Sequence, residues 1–158
     1  MKNLGVFCLL LTAFTFVSCK NNQAEKNPEV NQVEELTNVQ CYKAINEGDT
    51  LDLKINTFKS GKITGNMDMA MVNMPKKIGE IAGEFKGDTL FVNYTFIQGE
   101  DKDLTFKNPM AFLKRDNQLI LGNGKMQTTL GETFFVKGEP IDFDRVKFKF
   151  DAVDCVSK

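Results

Sequence analysis

The chain has 158 residues with 20 basic and 21 acidic side chains, so its formal net charge is −1. A charge so close to zero leaves no electrostatic footprint for nucleic acid. There is no histidine, which removes the commonest general base and the commonest transition-metal ligand together. With no tryptophan and 14 phenylalanines, the core must be built from Phe, Ile, Leu, Val and Met.

In chain order, the first element is the apolar run Leu4 to Val17, "LGVFCLLLTAFTFV", preceded by the single positive charge of Lys2. A bilayer span takes roughly 20 residues, so this run is too short to cross and has the size of an export signal's apolar region. It ends in Phe16-Val17-Ser18-Cys19, after which the chain turns abruptly polar. That ending resembles the lipobox of bacterial lipoproteins, with Phe16 in place of the usual leucine. The resemblance implies that the Cys19 thiol receives a diacylglyceryl group and that cleavage leaves Cys19 as the first residue. Two or three acyl chains, at about 0.8 kcal/mol per buried CH₂, would hold the protein on a membrane. From Lys20 to about Gln40 the composition is that of a linker, rich in Asn, Gln and Glu. The expected organisation is a signal peptide at 1–18, a lipidated tether at 19–39 and one domain at 40–158.

From Cys41 onward the dominant period is two. "TLDLKIN" sets Leu51, Leu53 and Ile55 against Asp52, Lys54 and Asn56. "KITGNMDMAM" puts Ile63, Met67, Met69 and Met71 on one face. "TLFVNYTF" turns Leu90, Val92, Tyr94 and Phe96 one way, and "RVKFKF" turns Val146, Phe148 and Phe150 inward with Lys147 and Lys149 outward. Such alternation marks half-buried antiparallel strands. Turn signals stand at Glu47-Gly48-Asp49, Ser60-Gly61, Lys86-Gly87-Asp88, Asp116-Asn117 and Lys137-Gly138. "GDTL" occurs twice, from Gly48 and from Gly87, and an Ile-x-Gly step recurs at Gly65, Gly83 and Gly122. Glycine inside a strand permits the sharp coiling that a closing sheet needs. The pattern predicts an all-β domain, an antiparallel up-and-down meander of about 8–10 strands that buries one face as a barrel or, alternatively, as a β-sandwich.

The strand rhythm, with "KITG", "GEIAGEFKGDTLFVNYTF" and "AFLKRDNQLILGNGKM", resembles the small lipocalin-like (calycin) domains of envelope lipoproteins. The resemblance covers Cys41 to Cys155 and implies a closed barrel. It departs from true lipocalins in lacking their Gly-x-Trp; Cys41-Tyr42 stands on the first strand instead. Of the four cysteines, Cys8 would leave with the signal and Cys19 would carry lipid. Cys41 and Cys155 remain, and an exported protein meets an oxidising compartment, so a Cys41–Cys155 disulfide is expected. A bridge between the first and last strands favours the barrel, where those strands are neighbours.

Chemistry is sparse. "MDMAMVNM" offers Met67, Met69, Met71 and Met74, thioethers of the kind that bind Cu(I), yet three of them continue the apolar face begun by Ile63. "GEDKD" from Gly99 to Asp103 has carboxylates at alternating positions, but Leu104 and Thr105 break a Ca²⁺ loop and leave a hairpin tip. Glu80 and Glu84 fall on an outward face without an aromatic sugar platform. Serine has no histidine partner, and the glycines of "DNQLILGNGKM" lack the lysine and helix of a phosphate loop. No catalytic residue, metal site or cofactor is expected, and an enzyme is not the expected class. The expectation is a lipid-anchored protein of the bacterial cell envelope, on the outer membrane of a Gram-negative cell, with the membrane as one partner and no nucleic acid. Its barrel would bind a small apolar or amphipathic ligand lined by Met69, Met71, Val92, Tyr94 and Phe96. The alternative is a filled barrel that docks another envelope protein, with soft-metal binding a remote third.

Overall fold

Alternating apolar and polar residues leave each strand one greasy face, and one sheet can hide that face by curling on itself. A computed structural model describes residues 34–156; the expected export signal, Cys19 and most of the expected tether lie outside the described residues. The strands are β1 (Leu36–Asn46), β2 (Asp49–Phe58), β3 (Lys62–Ala70), β4 (Lys77–Lys86), β5 (Thr89–Gln98) and β6 (Asp101–Arg115). They continue with β7 (Gln118–Leu121), β8 (Asn123–Gly124), β9 (Met126–Thr129), β10 (Glu132–Phe135), β11 (Ile141–Asp142) and β12 (Lys149–Val153). Eight form a closed antiparallel barrel in the order β1-β12-β7-β6-β5-β4-β3-β2. The all-β expectation and the barrel both hold, and the architecture is compatible with a lipocalin-like fold.

Each expected turn signal falls at a strand end. Gly48, Gly61, Gly87 and Gly138 have φ between 61° and 91°, and Asp116 and Asn117 share the left-handed region at 49° and 63°. The Ile-x-Gly steps on β3 and β4 have a more demanding cause. A Cβ at Gly65 would lie 1.8 Å from the Lys54 carbonyl oxygen, and one at Gly83 would lie 1.9 Å from the Phe91 oxygen. At both places a neighbouring backbone comes too close for any side chain, which lets the sheet coil tightly.

Two segments differ from the sequence reading. β1 begins at Leu36, inside the stretch read as tether, and Asn38 to Gln40 pair with Thr57 to Ile55. The apolar residues there, Leu36 and Val39, are exposed, so burial imposes no period-two signature. At the other end, Val146 and Lys147 lie outside any strand, and β12 starts at Lys149; Phe148 and Phe150 are buried as expected. Between β7 and β12 the chain leaves the barrel to make two small ribbons, β8–β11 and β9–β10. They interrupt an otherwise consecutive meander, and β12 returns to pair with both β7 and β1.

The core is one cluster that includes Tyr42, Leu51, Leu53, Ile63, Met67, Leu90, Tyr94, Phe112 and Phe150. The Cys41–Cys155 disulfide is formed, with the Cα atoms 5.2 Å apart. It ties the middle of β1 to the residues just after β12.

Candidate functional site

The register of the barrel arranges inward residues in rows. Tyr42, Leu53, Met67, Gly79, Phe96 and Phe106 are successive cross-strand partners from β1 to β6. A second row runs Gln40, Ile55, Gly65, Ile81, Tyr94 and Asn108. All five residues expected to line the interior are brought to it. Met69, Val92, Tyr94 and Phe96 are buried in the core, and Met71, just beyond β3, packs against it half-buried. Val92, Tyr94 and Phe96 come from one strand and Met69 from a strand two away, so they meet across β4.

These side chains belong to one packed apolar cluster. The Tyr94 and Phe96 rings stack with centroids 4.7 Å apart, Phe96 stacks on Phe106 at 5.4 Å, and Phe112 meets Phe150 edge-on at 5.7 Å. The Tyr94 hydroxyl donates to the Met67 carbonyl oxygen at 2.9 Å. That bond spans β4 at the level of Gly79, the partner of both Met67 and Phe96, where no side chain intervenes. Burial, and then the Asp68 carboxylate, pushes the Tyr94 hydroxyl well above the usual phenol range. No buried side-chain nitrogen or oxygen among the described residues lacks a hydrogen-bond partner.

One end of the barrel is closed by charge. Asp49, only 5% exposed, accepts a hydrogen bond from the Val72 amide at 2.8 Å and an ion pair from Lys147 at 2.7 Å. The β1–β2 turn, the β3–β4 loop and the approach to β12 thereby converge on one carboxylate. The Lys147 hydrogen bond, then the Val72 amide, holds the Asp49 carboxyl below its ordinary value. Near this end the Lys77 ammonium sits 5.2 Å from the centroid of the Phe96 ring.

The carboxylates singled out in the sequence do not assemble. Glu80 and Glu84 are exposed on β4, and the Asp101 side chain caps the Asp103 amide at 3.0 Å. Among the described residues no three acidic or cysteine side chains are grouped to hold a metal ion. Met67 is buried and Met74 is exposed, so the methionine run is divided between core and surface.

Two concavities among the described residues lie on the outside of the barrel. One, about 500 Å³, runs over the outer face of β4, β5 and β6 beneath the β9–β10 ribbon. Its apolar wall includes Phe91, Pro109, Met110, Phe134 and Phe135, and Glu84 and Lys86 stand at its edge. Phe135 is held by β8, since a Cβ at Gly124 would come within 2.5 Å of its ring. The sequence reading missed this groove. Its one signal was Phe91, an aromatic between Thr89 and Asn93 on the outer face of β5; Phe134 and Phe135 belong to a ribbon too short to show a period. In comparisons with known proteins, no family model, no curated protein and no solved structure matches the chain.

Proposed function

We propose that the chain is a lipid-anchored protein of the bacterial envelope, acylated at Cys19, whose barrel is an interaction module that docks another envelope protein. One observation carries the choice of module over carrier. Two of the residues expected to bind a guest, Tyr94 and Phe96, stack on one another within a packed cluster, while an aromatic groove is open on the outside. A drug-sized ligand needs about 300 Å³ or more of space. Inside the barrel, the Tyr94 hydroxyl is already committed to the Met67 oxygen and the Phe96 ring to its neighbours. In the groove, Phe91, Phe134 and Phe135 offer the flat, rigid apolar surface on which protein partners settle. The anchor rests on the Phe16-to-Cys19 ending and on a disulfide that suits an exported protein.

Two measurements on the full chain in its own host test this. Labelled palmitate should enter the wild-type chain and not Cys19→Ala; equal labelling removes the anchor. A photo-crosslinking residue at Phe134 should give an adduct heavier than the chain, whereas one at the exposed Lys59 should not. Equal yields at both positions, or a stoichiometric apolar molecule retained by the purified chain in native mass spectrometry, would reinstate the carrier reading.

A further inference from the structure

The aromatic groove holds one polar side chain that the fold leaves unused. Asn93 stands exposed on the outer face of β5, with Ala82 of β4 and Pro109 of β6 as its cross-strand partners. Neither neighbour carries a side-chain donor or acceptor. No described residue makes a hydrogen bond to the Asn93 side chain. The two charged residues at the groove's edge, Glu84 and Lys86, pair with each other at 3.3 Å. Their charges cancel, so the group left to orient an occupant is a neutral amide that both donates and accepts. Around it the lining is hydrocarbon, Phe91 and Pro109 from the barrel and Phe134 and Phe135 from the ribbon.

These features select among the segments that a partner protein can offer. A β-strand binds by adding its backbone to a sheet edge. Asn93 lies instead within continuous ladders, on the face of a sheet whose backbone groups at that row are paired from β4 to β6. A helix bonds its carbonyls internally, so the Asn93 amide would find no main-chain partner in one. A charged segment gains nothing from an ion pair already closed on itself. A saccharide brings several hydroxyls on every ring, for which one free amide is too few. A polyproline II segment has no internal hydrogen bonds and presents a carbonyl at every residue, about 3.1 Å apart along its axis. Its pyrrolidine rings pack on aromatic side chains, and its backbone is already fixed, so little conformational entropy is lost on docking.

We propose that the groove takes a proline-rich segment of its partner in the polyproline II conformation, with the Asn93 side-chain amide donating to one of that segment's main-chain carbonyls. The inference rests on the groove as a docking site and names the chemistry of what docks there. The test uses the purified full chain in detergent, with fluorescein-labelled decaproline as the probe and anisotropy as the readout. Decaproline should bind, and Asn93→Ala should weaken it about tenfold, the worth of one hydrogen bond. Phe134→Ala should weaken it at least as much, because a ring of the apolar lining is gone. Asn93 is exposed and bonds to nothing, so Asn93→Ala should melt with the wild type, which separates lost binding from lost folding. A Gly/Ser decapeptide and cellohexaose, each unlabelled, should fail to compete with the probe. Absence of decaproline binding at about 1 mM, or binding indifferent to Asn93→Ala, overturns the proposal, as does competition by cellohexaose. Should decaproline fail while the crosslink at Phe134 persists, the groove still docks a protein and only the class of segment is wrong; failure of both removes the groove as the site.

Discussion

At the residue scale, two buried polar groups are fixed in ways that can be titrated. Asp49 holds Lys147 and the Val72 amide, and its carboxyl is kept below the ordinary value. A carboxylate with a depressed folded-state pKa adds stability above its unfolded value, about 4, and loses it as pH falls through the depressed one. Asp49→Asn should therefore lower the melting temperature at pH 7. The gap between the two proteins should close as pH falls from about 4; a gap constant down to acid pH would mean that the amide hydrogen bond alone matters. Tyr94 is the opposite case, a neutral donor kept neutral. Its raised pKa means that its contribution is present below the unfolded value, about 10, and fades as pH rises toward the folded one. Tyr94→Phe leaves the ring stack in place and removes the bond to the Met67 oxygen. It should cost about 1 kcal/mol in urea unfolding at pH 7 and lessen the loss of stability above pH 10. Neither partnership was legible in the sequence. Tyr94 was recognised as inward from its period, but the Met67 oxygen opposite it follows from a strand-crossing geometry that Gly79 permits. Asp49 read as a turn residue, because nothing local says that Lys147 arrives beside it.

At the scale of the element, strands that bury one face were visible and strands that do not were missed. β2, β3 and β5 each carry their apolar residues on alternate positions because the barrel interior selects them. The first residues of β1 and all of β9 are exposed on both faces, so nothing imposes a period there, and β10 has only four residues in which to show one. The mid-strand glycines were also legible as features, and the structure supplies their reason. Gly65→Ala would drive a methyl to 1.8 Å from the Lys54 oxygen, so the β2 and β3 backbones would have to part. That substitution should cost about 3 kcal/mol, the upper range for overpacking. Gly61→Ala is the control: its φ is 88° with open space around it, so only the left-handed strain is felt, about 1 kcal/mol. Equal losses in urea unfolding would show that β2 and β3 are free to separate and that the close approach carries no cost.

At the scale of the whole molecule, the barrel is unevenly closed, and the seam explains the bridge. β4 and β5 share ten register pairs, from Lys77↔Gln98 to Lys86↔Thr89. β12, by contrast, meets β1 through three pairs and β7 through two. The alternation of apolar residues was enough to foresee a sheet that buries one face, as a barrel or a sandwich, and the cysteine pair favoured the barrel in which the first and last strands meet. It could not show how few hydrogen bonds join them, because the excursion from Asn123 to Phe148 takes up chain that would otherwise lengthen β7 and β12. Short seams open first, since their local free energy is small compared with that of the long ladders. The Cys41–Cys155 disulfide lies beside this seam, spans a sequence separation of 114 and constrains the unfolded chain as well as the folded one. Replacing both cysteines by serine should cost about 2–5 kcal/mol in urea unfolding. The loss should also be local: amide exchange should accelerate in β12 and the Cys41–Lys43 stretch before it does in β4 and β5. A loss below about 1 kcal/mol, with exchange unchanged at the seam, would show that Phe148 and Phe150 packing closes the barrel without covalent help.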